Sequence, residues 1–414
     1  METRPGRLLF APSSQVLAHV GRSVILAREL ARRGHRIAFA GVSRYLDDPT
    51  VVRPGEFEIH PLPDFDLAEG LEILRTIRKV PDRADIDANL AAELALLDRV
   101  RPDAVVVDFR PTMFLSARLR GIPVVSLVNG RWLYPYAARP YRGFRNYAAY
   151  DVLRRLVGRR GADLLMPPLF RLVLRHKIRP FARAFRRYGL PPRRQIWDLI
   201  TGELTLVLDT ELLSPMAGLP ENFRMVGPIQ WSPPVALPAW VEGLRGKPIV
   251  YVTLGSTGHP DLFRYLLRAL GGTPFEVLMS TGGQLDLAPA EVPENVHVAK
   301  FLPGDLSAEL AEFVIHHGGA GTVYQTLAAG KPSIVIATHF EQELLGAALE
   351  EHGAAIFLVM REVARDPALL RDAIRRMVEG REAYRAGAAR LQKDLQGYNG
   401  VATAADAIAQ YLAR

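Results

Sequence analysis

The sequence predicts an α/β protein built from two parallel-sheet domains that face each other across a cleft. Three observations carry this. Short apolar runs alternate with helical stretches in both halves of the chain. The first strand, helix and second strand fit within about 35 residues, the span of a βαβ unit, whose strands are parallel. A segment with four prolines, Pro228, Pro233, Pro234 and Pro238, then separates the two alternating halves.

Arg7–Pro12 (RLLFAP) reads as a buried strand ended by proline. The helix after it carries Val20, Val24, Leu26, Ala27, Leu30 and Ala31 on one stripe and stops at Gly34. Arg36–Gly41 is the next strand. Ala104–Val107 and Pro123–Leu127 are further strands around a helix near Thr112–Arg120. Residues 135–200 are basic, aromatic and helical in pattern, and Leu204–Leu208 returns to strand character. The second set has strands at Ile249–Leu254, Glu276–Ser280, His297–Lys300, Phe313–Ile315 and Ser333–Ala337, then amphipathic helix from Pro367 to Arg414. The expected division is residues 1–226, a linker at 227–246, and 247–414, with the last helix free to cross back to the first domain. Open parallel sheets bind ligands at the carboxyl ends of their strands, so the cleft is the expected site.

Composition narrows the chemistry. The chain has 414 residues, 49% of them hydrophobic and 23% charged, which supports sizeable cores and excludes a disordered or fibrous chain. With no cysteine there is no disulfide, thiolate metal site or cysteine nucleophile. No apolar run is long enough to span a bilayer, and the apolar run near the N-terminus is too short for a signal peptide. A cytoplasmic protein is expected. Charge is uneven. Between Arg131 and Arg194, 17 basic residues face two acids, Asp151 and Asp163, for +15, while the rest of the chain sums to −7. Such asymmetry fits either an anionic partner or an arginine-rich helical surface.

The strongest motif is Phe313–Ala329, FVIHHGGAGTVYQTLAA. A strand runs into a glycine-rich turn and then a helix. Glycines let backbone approach a ligand closely, and the helix N-terminus offers free N–H groups to a phosphate. Neither the P-loop nor the dinucleotide spacing is present. His316 reads as a buried strand-end residue.

With this motif the chain resembles the UDP-glycosyltransferase family, in its bacterial macrolide and antibiotic-type branch: inverting enzymes of the GT-B fold, with two Rossmann-like domains. Val252–Ser256 (VTLGS), Phe301-Leu302-Pro303 and His339-Phe340-Glu341-Gln342 match further family motifs in order, and Leu17–His35 is similar to the opening loop and helix. The resemblance implies that His317, Gly319, Gly321 and Thr322 hold the diphosphate, with Ser256 and Thr257 beside the phosphates or sugar. Phe301 would stack on the base and Leu302 would offer backbone groups to its edge. Gln325 stands at the ribose position, and Glu341 and Gln342 would bind hydroxyls of the transferred sugar. Three positions depart from the family: Phe301 for Trp, Gly304 for Gln, and Gln325 for the ribose Glu. UDP is the first expectation for the nucleotide and TDP the second. The donor region has no Asp-x-Asp, so neither a metal nor another cofactor is expected.

The resemblance also implies a general base, His19, at the start of the first helix, oriented by Asp108 at the end of AVVVD. A carboxylate bonded to one ring nitrogen fixes the tautomer and stabilises the imidazolium. Here too the local motif departs, with Gly21-Arg22 where the family has Asn-Pro. The expected reaction moves a hexose, such as glucose, to a hydroxyl of a small-molecule or lipid acceptor. A nucleotide-sugar epimerase or hydrolase, and a non-catalytic GT-B partner protein, are the alternatives. Asn129, Trp132, Tyr134 and Tyr136 are candidate acceptor walls. No nucleic-acid partner is expected. The basic segment 131–194 could meet an anionic membrane surface; its apolar residues Leu169, Leu172, Val173, Phe181 and Phe185 alternate with arginines, and Pro180 divides it. The competing expectation packs those apolar residues into the core.

Overall fold

The computed structural model describes residues 5–66, 69–70, 72, 80–138, 143–255, 259–285 and 287–413. Their strands form two sheets, both parallel. The first has order β3-β2-β1-β4-β5-β6-β7, with β1 Arg7–Pro12, β2 Arg36–Ala40, β3 Glu58–His60, β4 Ala104–Asp108, β5 Val124–Val128, β6 Leu204–Val207 and β7 Phe223–Met225. The second has order β10-β9-β8-β11-β12-β13, with β8 Ile249–Thr253, β9 Glu276–Ser280, β10 Val296–Ala299, β11 Phe313–His316, β12 Ser333–Ala337 and β13 Ala355–Val359. The central strands are nearly continuous apolar runs because helices cover both faces of each sheet.

In the first half the helices are α1 Leu17–Arg32, α2 Arg83–Val100, α3 Pro111–Leu119, α4 Ala148–Lys177 and α5 Arg179–Arg187. In the second half they are α6 Pro260–Leu270, α7 Gly304–Leu310, α8 Ala320–Ala328, α9 Phe340–Glu351, α10 Met360–Arg365, α11 Ala368–Glu379, α12 Arg381–Leu395 and α13 Gly400–Leu412. The α1 stripe predicted from spacing is buried at Val20, Val24, Leu26, Ala27 and Leu30. Gly34, at φ +94°, lets the chain leave the helix. The last helix packs on the first domain, where Ala404, Ala405 and Ile408 share a core with Val20 and Val24.

Strand order reverses between β1 and β4 in one sheet and between β8 and β11 in the other. These switch points open crevices at the strands' carboxyl ends. The register Pro12↔Asp108 sets the ends of β1 and β4 level, beside the turn that leads from β1 into α1. Three strands lie beyond those the sequence pattern predicts. β3 and β7 are three-residue edge strands, too short to show a period, and β13 is an apolar run behind Gly353. Pro180 sits in the first turn of α5, where its missing N–H costs no bond. Pro167 and Pro168, however, lie inside α4, which is interrupted instead at Gly158, φ +72°.

Candidate active site

A cavity of about 640 Å³ opens between the two sheets. Residues of both halves line it: His19, Phe109, Asn129 and Trp132 from one, Phe301, His317, Thr322 and Glu341 from the other.

On the first side, Val16 caps α1 without a side-chain bond and no acid occupies the first turn, so His19 enters an uncompensated helix N-terminus. Its Nδ1 lies 2.6 Å from Oδ1 of Asp108. Asp108, 1% exposed, ends β4, and its backbone carbonyl accepts from Ser13 N–H at 2.7 Å. The next residue, Phe109, has φ +55°, a costly conformation for a bulky side chain. Its ring lies 6.0 Å from that of His19 at an interplanar angle of 24° and meets Trp132 at 4.6 Å. The strained turn thus places Asp108 behind the imidazole and an aromatic face beside it.

Arg22 is the functional residue that motif reading passes over. One turn after His19, its guanidinium donates from Nε and Nη2 to both oxygens of Asp108. Nη1 donates to Oδ1 of Asn129 at 2.7 Å, and Nη2 lies 3.0 Å from the His19 Nδ1. Burial alone would push the Asp108 carboxyl up, but Arg22 and His19 outweigh it and hold it below the ordinary carboxylate range. The Arg22–Asp108 pair therefore stays ionised, and the His19 tautomer that carries its hydrogen on Nδ1 donates to Asp108 and turns Nε2 into the ring's acceptor. The signal available in the sequence was the spacing: positions 19 and 22 share one helix face. Gly21 explains the other departure. A Cβ there would lie 2.7 Å from the ring of linker residue Trp231, so only glycine lets the linker lie on α1.

On the second side, β11 delivers His316 and His317 to the turn. His316 is fully buried and its Nδ1 accepts from Gly318 N–H at 3.0 Å. The His317 ring lies between the backbones of two glycines: a Cβ on Gly255 would stand 2.9 Å from Cε1, and one on Gly319 2.6 Å from Nε2. Burial lowers its pKa to about 4, so near neutrality it is a neutral imidazole. Gly319 caps α8 with no side-chain bond, and Thr322 and Gly321 lie in the first turn at the cavity. Backbone N–H groups and a hydroxyl at a helix start suit an anion chemically. Ser256 and Thr257 lie outside the described residues, as does the side chain of Tyr134.

The remaining donor-side positions are mixed. Phe301, 51% exposed, offers a ring face to the cavity, while Leu302 beside it is buried. Glu341 starts α9, and burial followed by the nearby charge of Asp209 raises its pKa to about 7 against the opposing pull of Arg22 and Arg131. Gln342 is buried, and its Oε1 accepts from the N–H and hydroxyl of Thr338 at 2.8 and 2.9 Å. Its carbonyl is therefore spent, and a role in holding sugar hydroxyls falls to the amide alone. Gln325, expected at the ribose position, donates instead to the carbonyl of Trp231 at 2.9 Å and to the hydroxyl of Ser232 at 3.0 Å.

Of the acceptor-wall candidates, Asn129 and Trp132 line the cavity. Asn129 is also bound to Arg22. Tyr136 is a correction: it packs against Phe223 at 5.6 Å and is not among the residues that line the cavity. The wall is completed instead by Leu174, Lys177, Ile178 and Phe181 of the basic segment. Phe181 and Phe185 are buried, whereas Leu169 and Leu172 are exposed, so the apolar face expected across 169–185 is split between core and surface. Among the described residues no helix is long and apolar enough to cross a membrane.

Two parallel-sheet domains face each other across this cavity, with a glycine-rich turn opposite a His–Asp pair, and the comparisons place such a chain among glycosyltransferases. Residues 264–400 match the family model "Erythromycin biosynthesis protein CIII-like, C-terminal domain". The chain is 34% identical over 408 residues to the PGL/p-HBAD biosynthesis rhamnosyltransferase of Mycobacterium bovis (strain BCG / Pasteur 1173P2), covering 94% of this chain and 84% of that one. It is 33% identical over 366 residues to a PGL/p-HBAD biosynthesis glycosyltransferase of Mycobacterium tuberculosis (strain ATCC 25177 / H37Ra), covering 86% and 81%. Among solved structures, CalG4, the calicheamicin glycosyltransferase, superposes with a TM-score of 0.67 at 26% identity over 99% of both chains. The chain belongs to the bacterial antibiotic-type glycosyltransferases of the GT-B fold.

Proposed function

We propose that this glycosyltransferase inverts the anomeric centre as it moves a hexose from a nucleoside-diphosphate sugar to a hydroxyl of a largely apolar small-molecule or lipid acceptor. The observation that supports this best is the His19–Asp108 pair, 2.6 Å apart, set in the same cavity as the His317 loop. In this reading Nε2 of His19 takes the proton of the acceptor hydroxyl. The hydroxyl oxygen bonds to the anomeric carbon as the bond from that carbon to the phosphate oxygen breaks. The leaving diphosphate gains a negative charge, which the α8 N-terminus and a hydrogen bond from neutral His317 accommodate. Glu341, as a carboxylate, accepts from a sugar hydroxyl.

UDP is the first nucleotide to test. One observation favours TDP as a second reading. Gln325 is tied to the linker and brings no carboxylate to the ribose, and a deoxyribose has one hydroxyl fewer to hold. A transfer assay settles both, with UDP- and TDP-hexoses, including the 6-deoxy sugar rhamnose, against a panel of phenols and hydroxylated lipids, read by mass spectrometry. A glycoside whose anomeric configuration, read by NMR, is opposite to that of its donor supports the reading. Sugar release without a glycoside, or no turnover with any donor, overturns it.

A further inference from the structure

The outer face of α4 is the surface feature that the transfer reaction does not use. Among the described residues, seven of the 16 exposed large apolar side chains lie along the two segments of α4, Val152, Leu156 and Val157 before the kink at Gly158 and Leu164, Leu165, Leu169 and Leu172 after it, between 39% and 75% exposed. After the break at Gly158, the spacing of 164, 165, 169 and 172 keeps them on one face. That face is opposite the buried Met166, Phe170 and Leu174. Arginines accompany them. Arg154, Arg155, Arg159, Arg160, Arg171 and Arg175 are all exposed. The two acids of the helix are engaged elsewhere, Asp151 with Arg361 and Arg365, and Asp163 with the Tyr150 hydroxyl.

We propose that this face of α4 docks on an anionic lipid surface. Exposed aliphatic side chains interleaved with cations suit the boundary between acyl chains and acidic headgroups. Charge argues against a second copy of the chain as occupant, because a two-fold contact here would bring the same arginines together. The exposed leucines argue against nucleic acid, for which they offer nothing. The position of the helix adds the functional link. Its C-terminal end, Leu174 and Lys177, and Ile178 and Phe181 beyond it, form part of the cavity wall. A surface-bound enzyme would thus have its acceptor cavity next to the bilayer, placed to take an amphiphile whose hydroxyl lies at the headgroup level. That last step rests on the acceptor reading above; the docking itself does not.

Co-sedimentation of the full chain with vesicles tests it. Vesicles of neutral phosphatidylcholine alone are compared with vesicles containing phosphatidylglycerol. Two variants alter only exposed positions: Leu156→Ser/Leu164→Ser/Leu172→Ser and Arg155→Glu/Arg160→Glu/Arg175→Glu. The expected result is sedimentation with the anionic vesicles at low salt, lost at high salt, and weakened about tenfold or more in each variant, with melting temperatures unchanged. No sedimentation with anionic vesicles overturns the proposal. So does equal binding to neutral vesicles, or a dimer in light scattering that the leucine variant dissociates. Wild-type protein that glycosylates a soluble acceptor but ignores vesicles leaves the transfer reading intact and removes only this one.

Discussion

Arg22 holds both oxygens of Asp108 while Asp108 holds the ring nitrogen of His19. The carboxylate is thus shared between a permanent cation and a transient one. When His19 takes up a proton, the imidazolium forms beside Asp108 but also 3.0 Å from an Arg22 nitrogen. Coulomb repulsion from Arg22 offsets part of the help from Asp108. Arg22 positions Asp108, and through it the His19 ring. Arg22→Gln is expected to lower kcat with donor affinity nearly unchanged, because Asp108 loses the clamp that orients it toward His19. An unchanged kcat would leave Arg22 as structure only. The same change strands a buried carboxylate, at a cost of roughly 3–5 kcal/mol, visible in urea denaturation.

His19→Ala is expected to cut turnover by about two to four orders of magnitude with donor binding nearly unchanged. Single-turnover rates, and calorimetric titration with the nucleoside diphosphate, separate the two effects. Near-wild-type rates on the native acceptor would end the assignment of His19 as base.

On the donor side, His317→Ala and Gly319→Ala should each weaken nucleoside diphosphate binding, for different reasons. The first removes a donor to phosphate. The second drives a methyl group to 2.6 Å from the His317 Nε2 and forces the ring to move. Titration calorimetry reads both, and full affinity in both variants would place the diphosphate elsewhere.

Glu341 supplies a pH dependence. Its pKa is raised to about 7, so between pH 6 and 8 it changes from mostly neutral to mostly carboxylate. If the carboxylate is what accepts from the sugar, KM for the donor should fall as pH rises through that window. Glu341→Gln should flatten the response. Stability runs the other way. A group whose folded pKa lies above its unfolded value contributes stability below the unfolded value and loses it as pH rises through the folded one. Between pH 5 and 8 the wild type should therefore lose melting temperature relative to Glu341→Gln.

Much of this was legible in the sequence. The two parallel sheets follow from apolar runs and helical periods, which are local. His19, Asp108 and the His317 loop follow from matching segments at strand ends, where a parallel fold must place its ligands. What the sequence hid was contact between distant segments. Arg22 registered only as a missing Asn-Pro, since nothing local shows that its guanidinium reaches 86 residues along the chain to Asp108. Tyr136 shares the short 3₁₀ turn 130–136 with Trp132, yet that turn sends Tyr136 toward Phe223 while Trp132 lines the cavity. The apolar residues of the basic segment have one composition and two fates, Phe185 in the core and Leu172 in solvent. Only packing tells them apart.

The departures at 304, 325 and 21 turn out to be one feature. Gln325 bonds the backbone of Trp231, whose ring lies on Gly21. A Cβ at Gly304 would stand 2.5 Å from Oε1 of Gln325. Glycine at 304 thus makes room for a glutamine that is pulled toward the linker, and glycine at 21 makes room for the linker itself. Restoring the family pattern one residue at a time should fail. Gly304→Gln alone is expected to displace Gln325 from Trp231 and lower the melting temperature by several degrees. Gln325→Glu alone would present a carboxylate to the Trp231 carbonyl, a repulsive contact in place of a bond. In the double variant Gly304→Gln/Gln325→Glu the two defects have a common remedy, because the introduced carboxylate is released toward the ribose as the introduced amide enters its space. A double-mutant cycle on melting temperature and on UDP affinity should therefore be non-additive, with the double variant more stable than the sum of the single losses. It should also bind UDP more tightly relative to TDP than the wild type does, since a carboxylate now faces the ribose hydroxyls. Simple additivity in both measurements would show that Gly304 and Gln325 act independently.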